Sequence, residues 1–193
     1  MDTPDFLLQK LTELNSGVSA VLLEDFARAM PLKKFRKGET IAPAGKVASE
    51  VFFVEKGCVR MLYYLESKEV TASFFFEGGF TGPCISMMFK TINQQVFEAF
   101  EDCHIRTLNF DTYMSLLRQQ PCFYQLRSTI AESIMADQEL IIRFFLSFTP
   151  MERYQYLIKN QPQLFMRVPQ HHIASMIGIT PVSLSRIRKR IAC

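Results

Sequence analysis

The residues best placed to do chemistry lie near the C-terminal end, in the run Thr180-Pro181-Val182-Ser183-Leu184-Ser185-Arg186-Ile187-Arg188-Lys189-Arg190. An arginine fork matches the O6 and N7 acceptors of guanine, while serine, threonine and lysine donate to phosphate oxygens. At about 100° per residue, Val182, Arg186 and Lys189 fall on one side of a helix, with Ser183, Ser185 and Arg190 flanking them. Leu184, Ile187 and Ile191 fall on the other side, as a stripe to be buried. The chemistry implied is recognition in a major groove. Arg186 is the expected base reader, and Gln170, Thr180, Val182, Ser183, Ser185, Lys189 and Arg190 complete the expected contact set.

The charge distribution agrees. No Asp or Glu follows Glu152, whereas Arg153, Lys159, Arg167, Arg186, Arg188, Lys189 and Arg190 give that stretch +7. The whole chain carries +3, so residues 1–152 stand at −4. A mildly acidic body joined to a wholly basic end fits a polyanion-binding module on a separate domain. A solvated basic tail would share that charge but not its apolar spacing.

Short-range signals position the cationic helix. Pro169 suits the first turn of one helix, and Gly178 supplies the turn that stops it. Thr180 before Pro181 pairs a capping hydroxyl with the residue suited to the first helical position. Ala174 is small where the two helices would cross. Two short helices around a glycine turn make a helix-turn-helix.

Further upstream, residues 6–30 carry helical spacing divided at Asn15-Ser16-Gly17, which predicts two short helices. From about Phe35, glycines separate short β-branched or aromatic runs: Thr40-Ile41, Val51 to Val54, Val59 to Tyr64, Thr71 to Phe76 and Val96 to Phe100. These predict an antiparallel barrel or roll over about 35–108, with Lys56-Gly57 as a tight hairpin. After Pro121 the pattern predicts one long helix to about Phe148. Its stripe of Leu126, Ile130, Ile134, Ile141, Phe145 and Phe148 can pack on the roll, pair with a second copy, or do both. Thr149-Pro150 ends it and starts another helix. The expected domains are therefore 1–148, a sensor with flanking helices and a pairing helix over 121–148, and 149–193, a DNA-binding domain. The fold class is α+β.

Several classes are disfavoured. The start Met1-Asp2-Thr3-Pro4-Asp5 lacks a signal-peptide pattern, and Arg143 breaks the most apolar helical stretch, so a soluble cytoplasmic protein without membrane association is expected. Cys58, Cys84, Cys103, Cys122 and Cys193 are scattered singly, which predicts reduced, mostly buried thiols. His104 is the one histidine in the roll. His171 and His172, adjacent on a helix, are expected to point different ways and to serve as surface polarity or phosphate contacts. No metal cluster, Ser-His-Asp arrangement or P-loop spacing appears, and the chain is read as non-enzymatic.

With these motifs in place, the sequence resembles the Crp/Fnr regulators at Pro150-Met151-Glu152-Arg153-Tyr154 and from Val168 to Arg190, and less specifically at Val51 to Arg60 and Glu77 to Gly82. The resemblance implies a cyclic-nucleotide-binding-type β-roll, a long dimerisation helix and a C-terminal winged helix-turn-helix. It implies a homodimer on a palindromic double-stranded DNA operator, with RNA polymerase as a further partner. It also places an effector cassette between Gly82 and Ala99, with Gly82, Cys84, Ser86, Asn93, Gln94 and Gln95 as pocket candidates.

The sequence departs from that pattern in several places. Pro83-Cys84 follows Gly82 where cyclic-nucleotide binders carry glutamate, and Asn93, Gln94 and Gln95 stand near the arginine position, where none can neutralise a phosphate. Cyclic AMP is therefore not expected to bind in the usual way, and an unidentified small molecule is the remaining effector class. Lys90 could substitute only if its loop were rearranged. No N-terminal cysteine cluster exists for an iron-sulfur centre. Val182 replaces the glutamate of many relatives and can touch only a thymine methyl, so an altered half-site is expected. The wing is reduced, with Phe165 to Val168 expected to supply one strand. A transcription regulator is the leading reading; a ligand-binding or protein-interaction module with a vestigial DNA-binding end is the alternative.

Overall fold

The computed structural model describes residues 5–14, 17–66 and 68–191, without the side chains of Ser133, Ile134, Asp137 and Gln138. The expectations at Met1–Pro4, Asn15-Ser16, the Ile134 side chain and Cys193 lie outside the described residues.

Two helices open the chain, α1 (Asp5–Glu13) and α2 (Ala20–Arg28). Among the described residues, eight strands follow: β1 (Leu32–Phe35), β2 (Thr40–Ala42), β3 (Glu50–Lys56), β4 (Val59–Leu65), β5 (Lys68–Phe75), β6 (Phe80–Thr81), β7 (Gln95–Ala99) and β8 (Cys103–Asn109). Helix α3 (Cys84–Phe89) interrupts them after β6. The strands form two four-stranded sheets, in the orders β1-β8-β3-β6 and β2-β7-β4-β5. Pairing of β8 with β1 and β3, of β3 with β6, and of β2 with β7 is antiparallel, as a roll requires.

Strand β3 shows why an unbroken apolar run belongs here. Successive side chains point to opposite faces, and both faces of this strand are covered. Phe52 and Val54 enter the roll interior with Val59, Phe97, Ala99 and Ile105. Phe53 faces the other way, into a core built by Leu7 and Leu11 of α1, Leu23 and Phe26 of α2, and Leu108. Phe53 is fully buried, a contribution of roughly 1.5–3 kcal/mol.

Gly57 corrects the expected hairpin. The strands on its two sides join different sheets, so Lys56-Gly57 is a corner between sheets. Gly57 has φ +97°, and a Cβ there would lie 2.7 Å from Cys103 Sγ and 2.8 Å from the Asp102 carbonyl. Only glycine fits both the backbone and the space.

Among the described residues, six helices follow the strands: α4 (Phe110–Gln119), α5 (Phe123–Ser147), α6 (Pro150–Asn160), α7 (Pro162–Arg167), α8 (Gln170–Met176) and α9 (Pro181–Ile191). Two compact units result. One comprises Met1–Met61 and Phe74–Ile134; the other comprises Leu62–Ser73, the tip of the β4–β5 hairpin, together with Met135–Cys193.

The stripe predicted on α5 divides by burial. Leu126 and Ile130 pack on the core of α1, α2 and β3, whereas Ile141 and Phe145 are exposed. Phe148 lies beyond the helix, against Phe144 and Tyr156. The strand expected at Phe165 to Val168 is instead the end of α7 and its cap. Pro162 starts that helix, and the Val168 amide donates to the Leu164 carbonyl. Among the described residues, no helix is long and apolar enough to cross a membrane.

Candidate nucleic-acid interface

Helix α8 closes through paired backbone bonds. The Ile179 amide donates to the Ala174 carbonyl at 2.9 Å and the Gly178 amide to the Ser175 carbonyl at 3.0 Å, with Gly178 at φ +74°. This arrangement satisfies the carbonyls left at a helix end and requires glycine at the left-handed position. Pro169 stands just before the helix as its cap residue. Helix α9 then starts on Thr180, whose Oγ1 accepts from the Ser183 amide at 3.2 Å and lies 3.0 Å from Ser183 Oγ. Ile173, Ala174, Ile177 and Leu184 are buried between the two helices. Ile187 is only half-buried and Ile191 is exposed, so the predicted inward stripe of α9 is fully buried at Leu184 alone.

The outward face of α9 presents Val182, Ser185, Arg186, Lys189 and Arg190, all exposed, with Thr180 exposed at its start and Ser183 half-buried. Gln170 is exposed at the start of α8. No acidic side chain among the described residues pairs with Arg186, Lys189 or Arg190. Their charge is available to an external anion, and Val182, 62% exposed, offers only methyl groups.

Arg153, named from the sequence only for its charge and its place in the family motif, clamps this unit. Its Nε donates to the carbonyls of Phe144 and Phe148 at 3.2 and 3.1 Å, Nη2 to Phe145 at 3.0 Å, and Nη1 to Ile177 at 3.0 Å. The guanidinium also lies over the Phe145 ring, 4.9 Å from its centroid. One side chain thus satisfies the carbonyls that end α5 and the one that ends α8. The available signal was an arginine just past a helix terminus, where freed carbonyls need donors.

Thr149 and Glu152 form a reciprocal capping box on α6. Backbone and hydroxyl bonds from Thr149 hold the Glu152 carboxyl below its ordinary value. Within the same unit, Ser175 Oγ accepts from the Thr71 amide at 3.0 Å, and His172 Nδ1 lies 3.5 Å from Thr71 Oγ1. The His171 and His172 rings have centroids 4.0 Å apart at an interplanar angle of 41°, so they lie close together, contrary to the expectation that they point different ways. Among the described residues no group of three metal-ligating side chains gathers.

Three of the six effector-pocket candidates, Gly82, Ser86 and Asn93, lie against or bond to the segment 43–50, which lines a cavity beside β2 and β3. Gly82 has φ +153° and lies against β3, where a Cβ would come within 3.3 Å of the Glu50 carbonyl. Buried Ser86 accepts from the Ala48 amide and donates to the Thr91 carbonyl. Buried Asn93 is spent on Pro43 and Gln95 backbone atoms, which also engages Gln95. Gln94 and Cys84 are exposed. Lys90 lies 3.2 Å from Asp111. The two arginines buried in the roll are both paired, Arg60 with Glu98 and Arg106 with Glu55, each at 2.9 Å.

That cavity, of about 140 Å³, is itself lined by none of the six. The roll interior holds Phe52 and Phe75 against Phe97, with ring centroids 5.8 and 6.3 Å apart. Lys90, the cation within the cassette, is paired with Asp111. Of the described cysteines, Cys58 and Cys103 are buried, Cys122 is half-buried and Cys84 is exposed, so burial is less general than expected.

Comparison with known proteins places the roll in a recognised fold. Residues 32–120 match the cyclic nucleotide-binding domain family. No curated protein matches the sequence. Among solved structures, FixK2 from Bradyrhizobium japonicum is similar at 17% identity, covering 84% of each chain with a TM-score of 0.69. A CooA mutant from Carboxydothermus hydrogenoformans is similar at 18% identity over 90% of this chain and 79% of its own, with a TM-score of 0.67. The Thermus thermophilus catabolite activator protein is similar at 20% identity over 93% of this chain and 86% of its own, with a TM-score of 0.55.

Proposed function

We propose that the chain is a homodimeric, sequence-specific DNA-binding transcription regulator of the Crp/Fnr type, acting in the cytoplasm without catalytic activity. The observation that carries this reading is the outward face of α9: Arg186, Lys189 and Arg190 exposed without acidic partners on a helix held by a glycine-closed turn. Arg186 reads guanine by a bidentate contact, Val182 meets a thymine methyl, and Gln170, Thr180, Ser183, Ser185, Lys189 and Arg190 hold the backbone. RNA polymerase is the further partner of the complex when it activates.

The pairing face of α5 is rotated from the expected stripe and shares Phe145 with it. Tyr124, Ala131, Met135, Ile142 and Phe145 are all exposed, and their spacings of seven, four, seven and three residues follow a heptad seam. Two copies joined there present two α9 helices to a palindromic operator, with half-sites one helical turn apart, about 34–36 Å. The filled roll and committed cassette support a sensor that does not take cyclic AMP in the usual way; its effector is another small molecule.

Selection from a randomised palindromic DNA library at several salt concentrations tests the reading. A two-fold motif is expected, with affinity falling steeply as salt rises. Arg186→Ala is expected to relax selectivity at one base pair per half-site, at a cost of about 1–3 kcal/mol. Recovery of no motif, or of the same motif at equal stringency by the alanine variant, would refute it.

A further inference from the structure

Arg188 is the cation of α9 that DNA reading does not use. It follows Leu184 by four residues, so it sits only about 40° around the helix from that buried side chain, on the side away from Arg186. There it borders a cavity of about 260 Å³, walled by Tyr154, Phe165, Ile173 and Leu184, with Gln170 at the rim. The Tyr154 and Phe165 rings meet edge to face, with centroids 5.3 Å apart. No carboxylate among the described residues pairs with Arg188.

We propose that this cavity is a binding site for a small aromatic monocarboxylate. The walls are apolar and aromatic, and favour a flat ring against Tyr154 and Phe165. Arg188 supplies a planar two-donor fork for a carboxylate, and the Gln170 amide supplies a further donor. The volume falls below the ~300–1,000 Å³ of pockets for drug-sized ligands and suits a compact molecule. A flexible acid of the same size would lose more rotational freedom on entry. The site belongs to the helical unit alone, and its main anion-binding group, Arg188, is not among the residues assigned to DNA, whereas Gln170 is shared between the two. Because Gln170 and Arg188 come from α8 and α9, its occupant ties the two helices together.

Titration of the full chain with phenylacetate, followed by ligand-observed NMR and calorimetry, tests the site. Saturable binding is expected with a dissociation constant of about 1 mM or tighter. 2-Phenylethanol, which keeps the ring and lacks the charge, is expected to bind at least about ten-fold more weakly, and hexanoate to fall below phenylacetate. Arg188→Gln, at an exposed position, is expected to keep the melting temperature and lose at least about ten-fold in phenylacetate affinity. Ile158→Trp, which fills the cavity from its wall, is expected to abolish binding. The proposal is overturned if phenylacetate does not saturate by about 10 mM, if the alcohol or hexanoate binds equally well, or if either variant binds like the native chain.

Discussion

Replacing Arg153 by methionine isolates the clamp at the end of α5. The substitution keeps much of the side-chain volume and removes the donors that reach Phe144, Phe145, Phe148 and Ile177. The two bonds from Nε share one hydrogen and count as one, leaving three effective bonds. Hydrogen bonds to charged groups contribute about 1.5–3 kcal/mol each. The Phe145 bond is solvent-exposed and the others are only partly buried, so about 1 kcal/mol each is the appropriate figure. A loss of about 2–4 kcal/mol follows, before methionine recovers some contact with the Phe144 and Phe145 rings. For a unit of this size that amounts to roughly 10–20 °C in melting temperature. Calorimetry is the suitable assay, because it resolves the helical unit if the two units melt separately. Arg153→Lys, which can satisfy one or two carbonyls but not the fork, is expected to fall between native and methionine. A methionine variant within about 0.5 kcal/mol of native stability would refute the clamp, and a lysine variant equal to native would refute the fork geometry.

Three further outcomes are expected. Gly57→Ala forces a Cβ against Cys103 Sγ and the Asp102 carbonyl at a left-handed backbone position; denaturant unfolding is expected to show a loss of about 2 kcal/mol or more, and a loss under about 0.5 kcal/mol would contradict the corner geometry. Glu152 is held below its ordinary carboxylate value, so its capping contribution is complete above the unfolded value and disappears as pH falls through the folded one. Glu152→Gln should therefore flatten the acid limb of the stability profile below about pH 4.3, and an unchanged limb would exclude that role. Met135→Glu combined with Ile142→Glu places charge on the exposed seam of α5; sedimentation is expected to show monomers, with weakened binding to a two-fold site, and an intact dimer would locate the interface elsewhere.

The roll was legible where residue pattern and topology coincide. The Val51 to Val54 run reads as a strand of the roll because it is β-branched and aromatic, and it lies in β3, both of whose faces are covered. The α9 start was equally plain, since a hydroxyl before proline encodes its own cap. Gly57 shows the limit: a glycine turn reveals that the chain bends, not which sheet receives the next strand. At Phe165 to Val168 a short apolar run fits strand or helix alike, and Pro162 decided for helix. On α5 the apolar residues belong to two faces, one packed on the core and one exposed, and a list of apolar positions merges them. Ser86 and Asn93 looked available in sequence because polarity is visible there, whereas the backbone atoms that consume it are not. Arg153 was counted as charge; its role depends on where two helices end.

The hairpin tip at Leu62–Ser73 makes the helical unit discontinuous in sequence. A chimaera that exchanges C-terminal segments between relatives at Thr149-Pro150 would carry α8 and α9 across but leave their own tip behind. His172 would then face a foreign side chain in place of the Thr71 hydroxyl, which now lies 3.5 Å from its Nδ1. The α8–α9 pair of this chain is therefore not a freely interchangeable cassette, because its compact unit includes a stretch encoded about a hundred residues earlier.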